Sequence, residues 1–434
     1  MRRFVTMGGK SMGTLAVLGL LTAMGCGDDK KGTTGGGGTG GPSGEIEIGT
    51  VIAVTGGLAA YGPAINQAIE LAATEINAAG GVLGKKLKIV NKDDGTMADK
   101  AGMVAQELLN EGAVAIIGGL ASGASLKIRD VTMPKGIVQI SPASTSPALT
   151  GMDNFFRTVP SDAIQGAVLA KQAQLAGLTK VNVIHEDNSY GQGLAKAFED
   201  AFKAAGGTVA ANAEYNAMQP NFTDQLTPAL AGAPDGVLLI AYPKEGVKIM
   251  QEAKARGAAA GMPKKWLFPD GLKDQMGFLD NLNVAKTLAE GAIGTAPGAS
   301  AEADDVARAA KFKAAYKAKY GMDPGTYCDS AYDAVYLLAA AMQKAGNTTD
   351  FGAQIVAVSK GGAGATEFSP GEWAAAKTAL GMMGAVNYQG ASGKLDFDDN
   401  GEPPGFDSMN RPQSFYTIWT VTNGKIVDST TVGP

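Results

Sequence analysis

From residue 45 onward the chain alternates short apolar runs with longer amphipathic stretches, and that alternation decides the fold class. Ile46-Glu47-Ile48-Gly49-Thr50-Val51-Ile52 starts as strict alternation and turns continuously apolar, the pattern of a strand buried at one end. After a loop over 55–63, Ile65, Ala68, Ile69, Ala72 and Ile76 recur at helical spacing across 64–79, and Gly80-Gly81 stops that helix. A strand at 87–90, a helix over 100–110, a strand at 113–117 closed by Gly118-Gly119, and a strand at 137–140 follow. Beyond Phe155-Phe156-Arg157-Thr158-Val159-Pro160 the rhythm restarts, with strands at 181–184, 209–213, 236–240 and 266–268 and helices over 193–205 and 224–231. Helices over 303–319 and 330–344 and a hairpin region near 393–427 complete the chain. A βαβα rhythm predicts parallel sheets covered on both faces. The fold class is therefore α/β, with two such units and a returning C-terminal third: two lobes joined by several crossings.

The first 44 residues follow a different logic. Arg2, Arg3 and Lys10 precede an uncharged apolar stretch, 12–24, too short to span a bilayer and suited to a signal peptide. It ends in Ala23-Met24-Gly25-Cys26, which resembles a bacterial lipobox, with small residues at −3 and −1 and a cysteine to be lipidated. Residues 27–44 hold nine glycines and no large apolar side chain. Such a tether reaches roughly 23 Å from its anchor. Removing 1–25 takes three positive charges from a net −5 and leaves −8.

Composition then removes whole classes of chemistry. With 45% apolar and 18% charged residues, the 434-residue chain can bury more than one core. One histidine forbids a multi-histidine metal site, and two distant cysteines forbid a cysteine-cluster zinc site or a disulfide-dense scaffold. The acidic balance argues against nucleic acid as a partner. Gly191-Gln192-Gly193 lacks the third glycine of a dinucleotide fingerprint, and Gly84-Lys85 lacks the upstream glycine of a phosphate loop. Ser122, in Leu120-Ala121-Ser122-Gly123, is no nucleophile elbow, and His185 reads as a polar strand-end residue. Asp396, Asp398, Asn400, Gly401 and Asp407 imitate a calcium loop, but Pro403-Pro404 and the absence of helical flanks favour a hairpin turn instead.

Polar groups at strand ends remain. Ser122 lies just past the third strand, where the next helix offers unpaired N–H groups and the positive end of its dipole to a carboxylate. Ile140-Ser141-Pro142-Ala143-Ser144-Thr145-Ser146-Pro147 follows the fourth strand as a stiff, hydroxyl-rich loop. Both loops fall at the carboxyl ends of neighbouring parallel strands, where open α/β sheets bind ligands.

Residues 55–62 (TGGLAAYG), 75–84 (EINAAGGVLG), Asp93-Asp94, Ile140-Ser141-Pro142 with Thr145, Tyr190-Gly191-x-Gly193 and Gly393-x-Leu395-Asp396-Phe397-Asp398 recur in a telling order. In these the chain resembles the leucine/isoleucine/valine-binding family, the type I periplasmic solute-binding proteins of ABC transporters. The resemblance implies two lobes joined by three hinge crossings: 45–160 with 296–388, and 161–295 with 389–434, behind a leader (1–25) and a lipidated tether (26–44). It implies that Ser122 and Thr145 hold a ligand carboxylate, with Ser144 in the same loop. The Ala143 carbonyl and the acid Asp270 would take an ammonium, and Tyr61, Tyr190, Tyr242 and Tyr327 would wall the cleft. Asp270 is one methylene shorter than the family's frequent Glu. The implied protein is a non-catalytic monomer without cofactor or metal. It would be anchored through Cys26 on the periplasmic side of a bacterial membrane and would deliver an amino acid, branched-chain or otherwise aliphatic, to an inner-membrane permease. Two alternatives share these residues: a sensing module that signals to a membrane receptor, and a binder of small amides.

Overall fold

The computed structural model describes residues 44–151, 153–257, 262–405 and 413–434. The leader, Cys26 and the tether up to residue 43 lie outside the described residues, as does Asp407.

The first lobe is built on a parallel sheet of β1 (Glu45–Val51), β2 (Lys86–Lys92), β3 (Ala115–Gly118), β4 (Val138–Ser141) and β5 (Phe155–Arg157) in the order β2-β1-β3-β4-β5. Strands β3 and β4 are buried throughout, as strands covered on both faces must be. On one face lies α1 (Gly62–Ala78), which turns Ile65, Ala68, Ile69, Ala72 and Ile76 inward. Two more helices, α2 (Ala98–Glu111) and α3 (Ser122–Thr132), complete the first pass of the chain through this lobe.

The second lobe carries a seven-stranded sheet. Its parallel part is β6 (Val181–Glu186), β7 (Asn212–Tyr215), β8 (Gly236–Ile240), β9 (Lys265–Phe268) and β10 (Ile293–Gly298). Helix α4 (Asp162–Leu175) leads into β6, and α5 (Ser189–Ala204), α6 (Thr223–Leu230), α7 (Pro243–Arg256) and the short α8 (Lys286–Ala289) connect these strands.

The chain then returns to the first lobe. It lays down α9 (Ala303–Tyr320), α10 (Cys328–Ala345), α11 (Gly352–Lys360), β11 (Thr366–Phe368), α12 (Trp373–Gly381), β12 (Val386–Gly390) and β13 (Gly393–Lys394). Helix α10 is buried almost all round, because α1, α11 and α12 enclose it, and its apolar run needs that enclosure. A third crossing carries the chain back to add β14 (Phe415–Thr422) and β15 (Lys425–Val432) antiparallel to β10, giving the order β15-β14-β10-β9-β8-β6-β7.

Arg157, wholly buried at the end of β5, ties two crossings together. Its guanidinium pairs with Glu402 and donates to Ser146 O (2.8 Å) and Thr150 Oγ1 (2.7 Å), and its own N–H donates to Gly401 O (3.1 Å).

Several elements differ from the sequence expectation for local reasons. Helix α5 begins at Ser189, not 193, because the Asn188 side chain accepts from Gly191 N at 2.8 Å and caps it. Strand β7 sits at Asn212–Tyr215 rather than 209–213, since its register follows β6, with Glu186 opposite Tyr215. The terminal hairpin spans 415–432 around Asn423-Gly424, both at positive φ as a tight hairpin turn requires. The Asp396–Gly401 segment does close as a tight hairpin turn: Gly401 N donates to Asp398 O at 3.1 Å, Asp398 N donates to Glu402 O at 3.0 Å, and Gly401 stands at positive φ, although among the described residues no strand ladder extends from it. The lobe boundary expected at 295/296 falls inside β10, which stays in the second sheet to Gly298.

Candidate functional site

The carboxyl edges of the two sheets face each other, and the loops leaving them converge on one pocket. It is a narrow pocket lined by Leu58, Tyr61, Leu120, Ser122, Ala143, Tyr190, Tyr242, Asp270, Gly271 and Tyr327.

The first lobe supplies the N-terminus of α3 and the loop after β4. Ser122 is the first residue of α3, buried, and its hydroxyl accepts from Ser146 N at 3.2 Å. The first-turn N–H groups of such a helix have no intrahelical acceptor and face outward from its end. The other hydroxyls stitch the loops together. Ser141 Oγ donates to Gly119 O (2.7 Å), and Ser144 Oγ lies 3.1 Å from Gly119 O and 2.8 Å from Ser125 Oγ. Ala143 lines the pocket from the same loop, held by its N–H on Ser141 Oγ at 3.3 Å.

The second lobe supplies the acid. Asp270 follows β9 and is 1% exposed. Its Oδ1 accepts from Gln165 Nε2 (2.8 Å) and the Tyr190 hydroxyl (3.1 Å), and its Oδ2 accepts from the Tyr327 hydroxyl. Burial pushes this carboxyl above the usual range, and the three donors pull it partly back. Behind it stands Asp162, also fully buried, with its carboxyl pushed well up by burial and then by the Asp270 charge.

The tyrosines form two pairs. Tyr190 and Tyr242, both of the second lobe, stack with centroids 5.6 Å apart and planes 6° from parallel. Tyr61 and Tyr327, both of the first, meet edge to face at 5.7 Å. Tyr61 reaches across the cleft to donate to Gly271 O at 3.1 Å. Burial and neighbouring carboxylates push all four phenols well above their usual pKa, so they remain neutral donors.

Of the nine pocket residues expected from the sequence, seven line this pocket: Tyr61, Ser122, Ala143, Tyr190, Tyr242, Asp270 and Tyr327. Ser144 and Thr145 do not. Ser144 is spent on the Gly119–Leu120 turn, and Thr145 Oγ1 donates to Asp162 Oδ2 at 2.9 Å. Leu58, Leu120, Gly271 and the orienting Gln165 were not expected. Leu58 and Leu120 sit inside segments already singled out and Gly271 directly follows Asp270, whereas Gln165 carries no local signal. His185 is buried at the end of β6 with Nδ1 3.0 Å from Glu186 O.

Two α/β lobes, three crossings and a closed pocket at the carboxyl edges of both sheets make the architecture of a two-lobed periplasmic binding protein. Residues 45–400 match the family model of the periplasmic binding proteins, and the chain belongs to that family. Among curated relatives, the Leu/Ile/Val/Thr-binding protein of Salmonella typhimurium is 30% identical over 76% of this chain and 87% of its own. A branched-chain amino acid transporter substrate-binding protein from Streptococcus pneumoniae, solved in complex with isoleucine, superposes with a TM-score of 0.71. It is 26% identical, over 90% of this chain and all of that one. A solute-binding protein of an ABC transporter from Rhodopseudomonas palustris, in complex with 3,4-dihydroxybenzoic acid, shares the fold at a TM-score of 0.67 and 23% identity, over 90% of this chain and 97% of that one. Among the described residues no helix is long and apolar enough to cross a membrane.

Proposed function

We infer that the chain is the substrate-binding component of an ABC importer and that it captures an α-amino acid in the interlobe pocket without chemical turnover. The observation that carries this reading is the placement of a buried carboxylate, Asp270, across one small pocket from the N-terminus of α3 and Ser122. A carboxylate that cannot reach water needs a cationic partner, and a helix N-terminus needs an anionic one. A zwitterion meets both needs at once. Asp270 and the Ala143 carbonyl take the ammonium, Ser122 and the first-turn N–H groups of α3 take the carboxylate, and Leu58 and Leu120 receive an aliphatic stem. Thr145 serves the site through Asp162. The names of the relatives support a branched-chain or similar aliphatic amino acid.

In this reading Cys26 is lipidated and the tether holds a monomer on the periplasmic side of a membrane, beside its permease. The test is a thermal-shift series of the purified chain with L-leucine, L-isoleucine and L-valine. A ligand that binds only the folded form raises the melting temperature in proportion to ln(1 + [L]/Kd). No shift with any of the three, or an equal shift with the decarboxylated amines, overturns the reading.

A further inference from the structure

The first turn of α4 holds two buried oxygens that nothing serves. Asp162 and Gln165 stand at i and i+3, neighbours on one face of that turn. Both are 0% exposed, and neither lines the ligand pocket. Asp162 is fastened twice to the loop after β4. Its N–H donates to Thr145 O at 2.8 Å, and its Oδ2 accepts from Thr145 Oγ1 at 2.9 Å. Gln165 is fastened to the second lobe, its Nε2 lying 2.8 Å from Asp270 Oδ1, 3.1 Å from Thr295 Oγ1 and 3.3 Å from Thr295 O. Asp162 Oδ1 and Gln165 Oε1 have no hydrogen-bond partner among the described residues.

Turning the Gln165 amide over does not repair this. It would set Oε1 against an ionised Asp270 and the Thr295 carbonyl, neither of which donates. The nitrogen therefore faces Asp270, and Oε1 is left wanting a donor. An ionised Asp162 has none to give, and it would bury a second negative charge behind Asp270. A neutral Asp162 has one O–H. Carried on Oδ1, that hydrogen serves Gln165 Oε1 and leaves Oδ2 to accept from Thr145. One proton thus satisfies both orphaned oxygens.

The groups around Asp162 leave the charge unsupported. Burial and then the Asp270 charge push its carboxyl well up, while Thr145 and Arg157 pull the other way. The Arg157 guanidinium, however, is paired with Glu402 and donates to Ser146 O. Tyr190, Tyr242, Tyr327 and Tyr416, the other titratable neighbours, are buried phenols held neutral. The helix end is capped without Asp162, since Ser161 Oγ accepts from Ala163 N at 3.3 Å.

We propose that Asp162 carries a proton at neutral pH and donates it to Gln165 Oε1, so that Thr145, Asp162 and Gln165 form an uncharged chain that positions Asp270 for the ligand's ammonium. This rests on the amino-acid reading above and deepens it. Asp162 is a positioning residue that acts through Gln165, and the pocket keeps one negative charge, matched to one ammonium.

Infrared difference spectroscopy of the full chain in light and heavy water tests the proton, and calorimetry with L-leucine tests the positioning. At neutral pH the wild type should show the carbonyl stretch of a buried, protonated carboxylic acid, shifted by deuterium and missing from Asp162→Asn. Asp162→Ala breaks the chain and should weaken leucine binding about tenfold. Asp162→Asn should restore the affinity, because its amide copies the neutral acid, accepting from Thr145 and donating to Gln165. If no such band is lost in Asp162→Asn, Asp162 is ionised and the proposal is overturned. An asparagine variant as weak as the alanine one also overturns it, because the charge itself would then matter. Leucine binding untouched by Asp162→Ala overturns the positioning role. Should the alanine variant not fold, the band and the asparagine affinity decide. Failure of the wild type to bind L-leucine, L-isoleucine or L-valine overturns the amino-acid reading, and the band still decides the proton.

Discussion

The two lobes face the same pocket with opposite chemistry. The first offers donors without charge: the head of α3, Ser122, and the hydroxyls of Tyr61 and Tyr327. The second offers a buried carboxylate with Gln165 and Tyr190 to steady it. Neither face is satisfied alone, and only a ligand that touches both favours the closed form over the open one. The comparison also shows that closure has polar contacts of its own. Tyr61 and Tyr327 already cross the cleft to Gly271 and Asp270. A ligand therefore adds to an existing set of bridges rather than creating the first.

The sharpest way to break this division is to erase the charge. Asp270→Asn should weaken L-leucine binding by about 2–5 kcal/mol in calorimetry, as loss of a buried charge partner does. An unchanged affinity would move the ammonium elsewhere. On the opposite face, Ser122→Ala should cost about 1–3 kcal/mol, and the loss should vanish when leucine is replaced by isoamylamine, which has no carboxylate.

At the pocket itself, acid should act through the carboxyls of the second lobe. Burial raises the Asp270 and Asp162 carboxyls, so in weak acid the ligand-free site holds a proton that an ammonium must displace. Leucine affinity is then fully present above the raised Asp270 pKa and is lost as pH falls through it, by at most about tenfold per pH unit. The sign for the ligand-free protein is opposite. Raised carboxyl pKa values favour the folded state below the unfolded value of about 4, and that stability is lost as pH rises through them. The leucine-induced rise in melting temperature should therefore grow with pH, and a pH-independent rise would contradict the placement of the ammonium at Asp270.

Smallest is the effect of the bridges. Tyr327→Phe removes one hydroxyl from Asp270 and should shift the lobes toward the open form by about 0.5–1.5 kcal/mol. A larger radius of gyration in solution scattering without ligand, and recovery with it, would report that shift.

How far the sequence carries this picture depends on distance along the chain. Strands such as β8, with Gly236–Ile240 buried end to end, declare themselves locally. So does the head of α3, because a glycine-closed strand followed by Ser122 is a local pattern. Asp270 and the four tyrosines became legible only through family resemblance, since an Asp before Gly looks like any turn. Gln165 was not legible at all. It finds Asp270 105 residues away and Thr295 130 residues away, and no spacing in α4 announces either partner. Strand β10 was missed for a related reason. Its sequence IGTAPG lacks a strand's apolar content, and the pairing with β14 makes the strand. Thr145 illustrates the reverse error, for its place beside the pocket said nothing of the Asp162 that would claim its hydroxyl.

The bolt from Arg157 to Gly401 and Glu402 also governs how the clamshell can swing. Because the outgoing ribbon at 157–162 and the last one before β14 are fastened to each other beside β5, they cannot slip independently. The halves are left with a door's freedom rather than a drawer's: rotation about one pin, with the ribbon after Gly298, held at the surface by the Glu302–Lys394 pair, bending to follow.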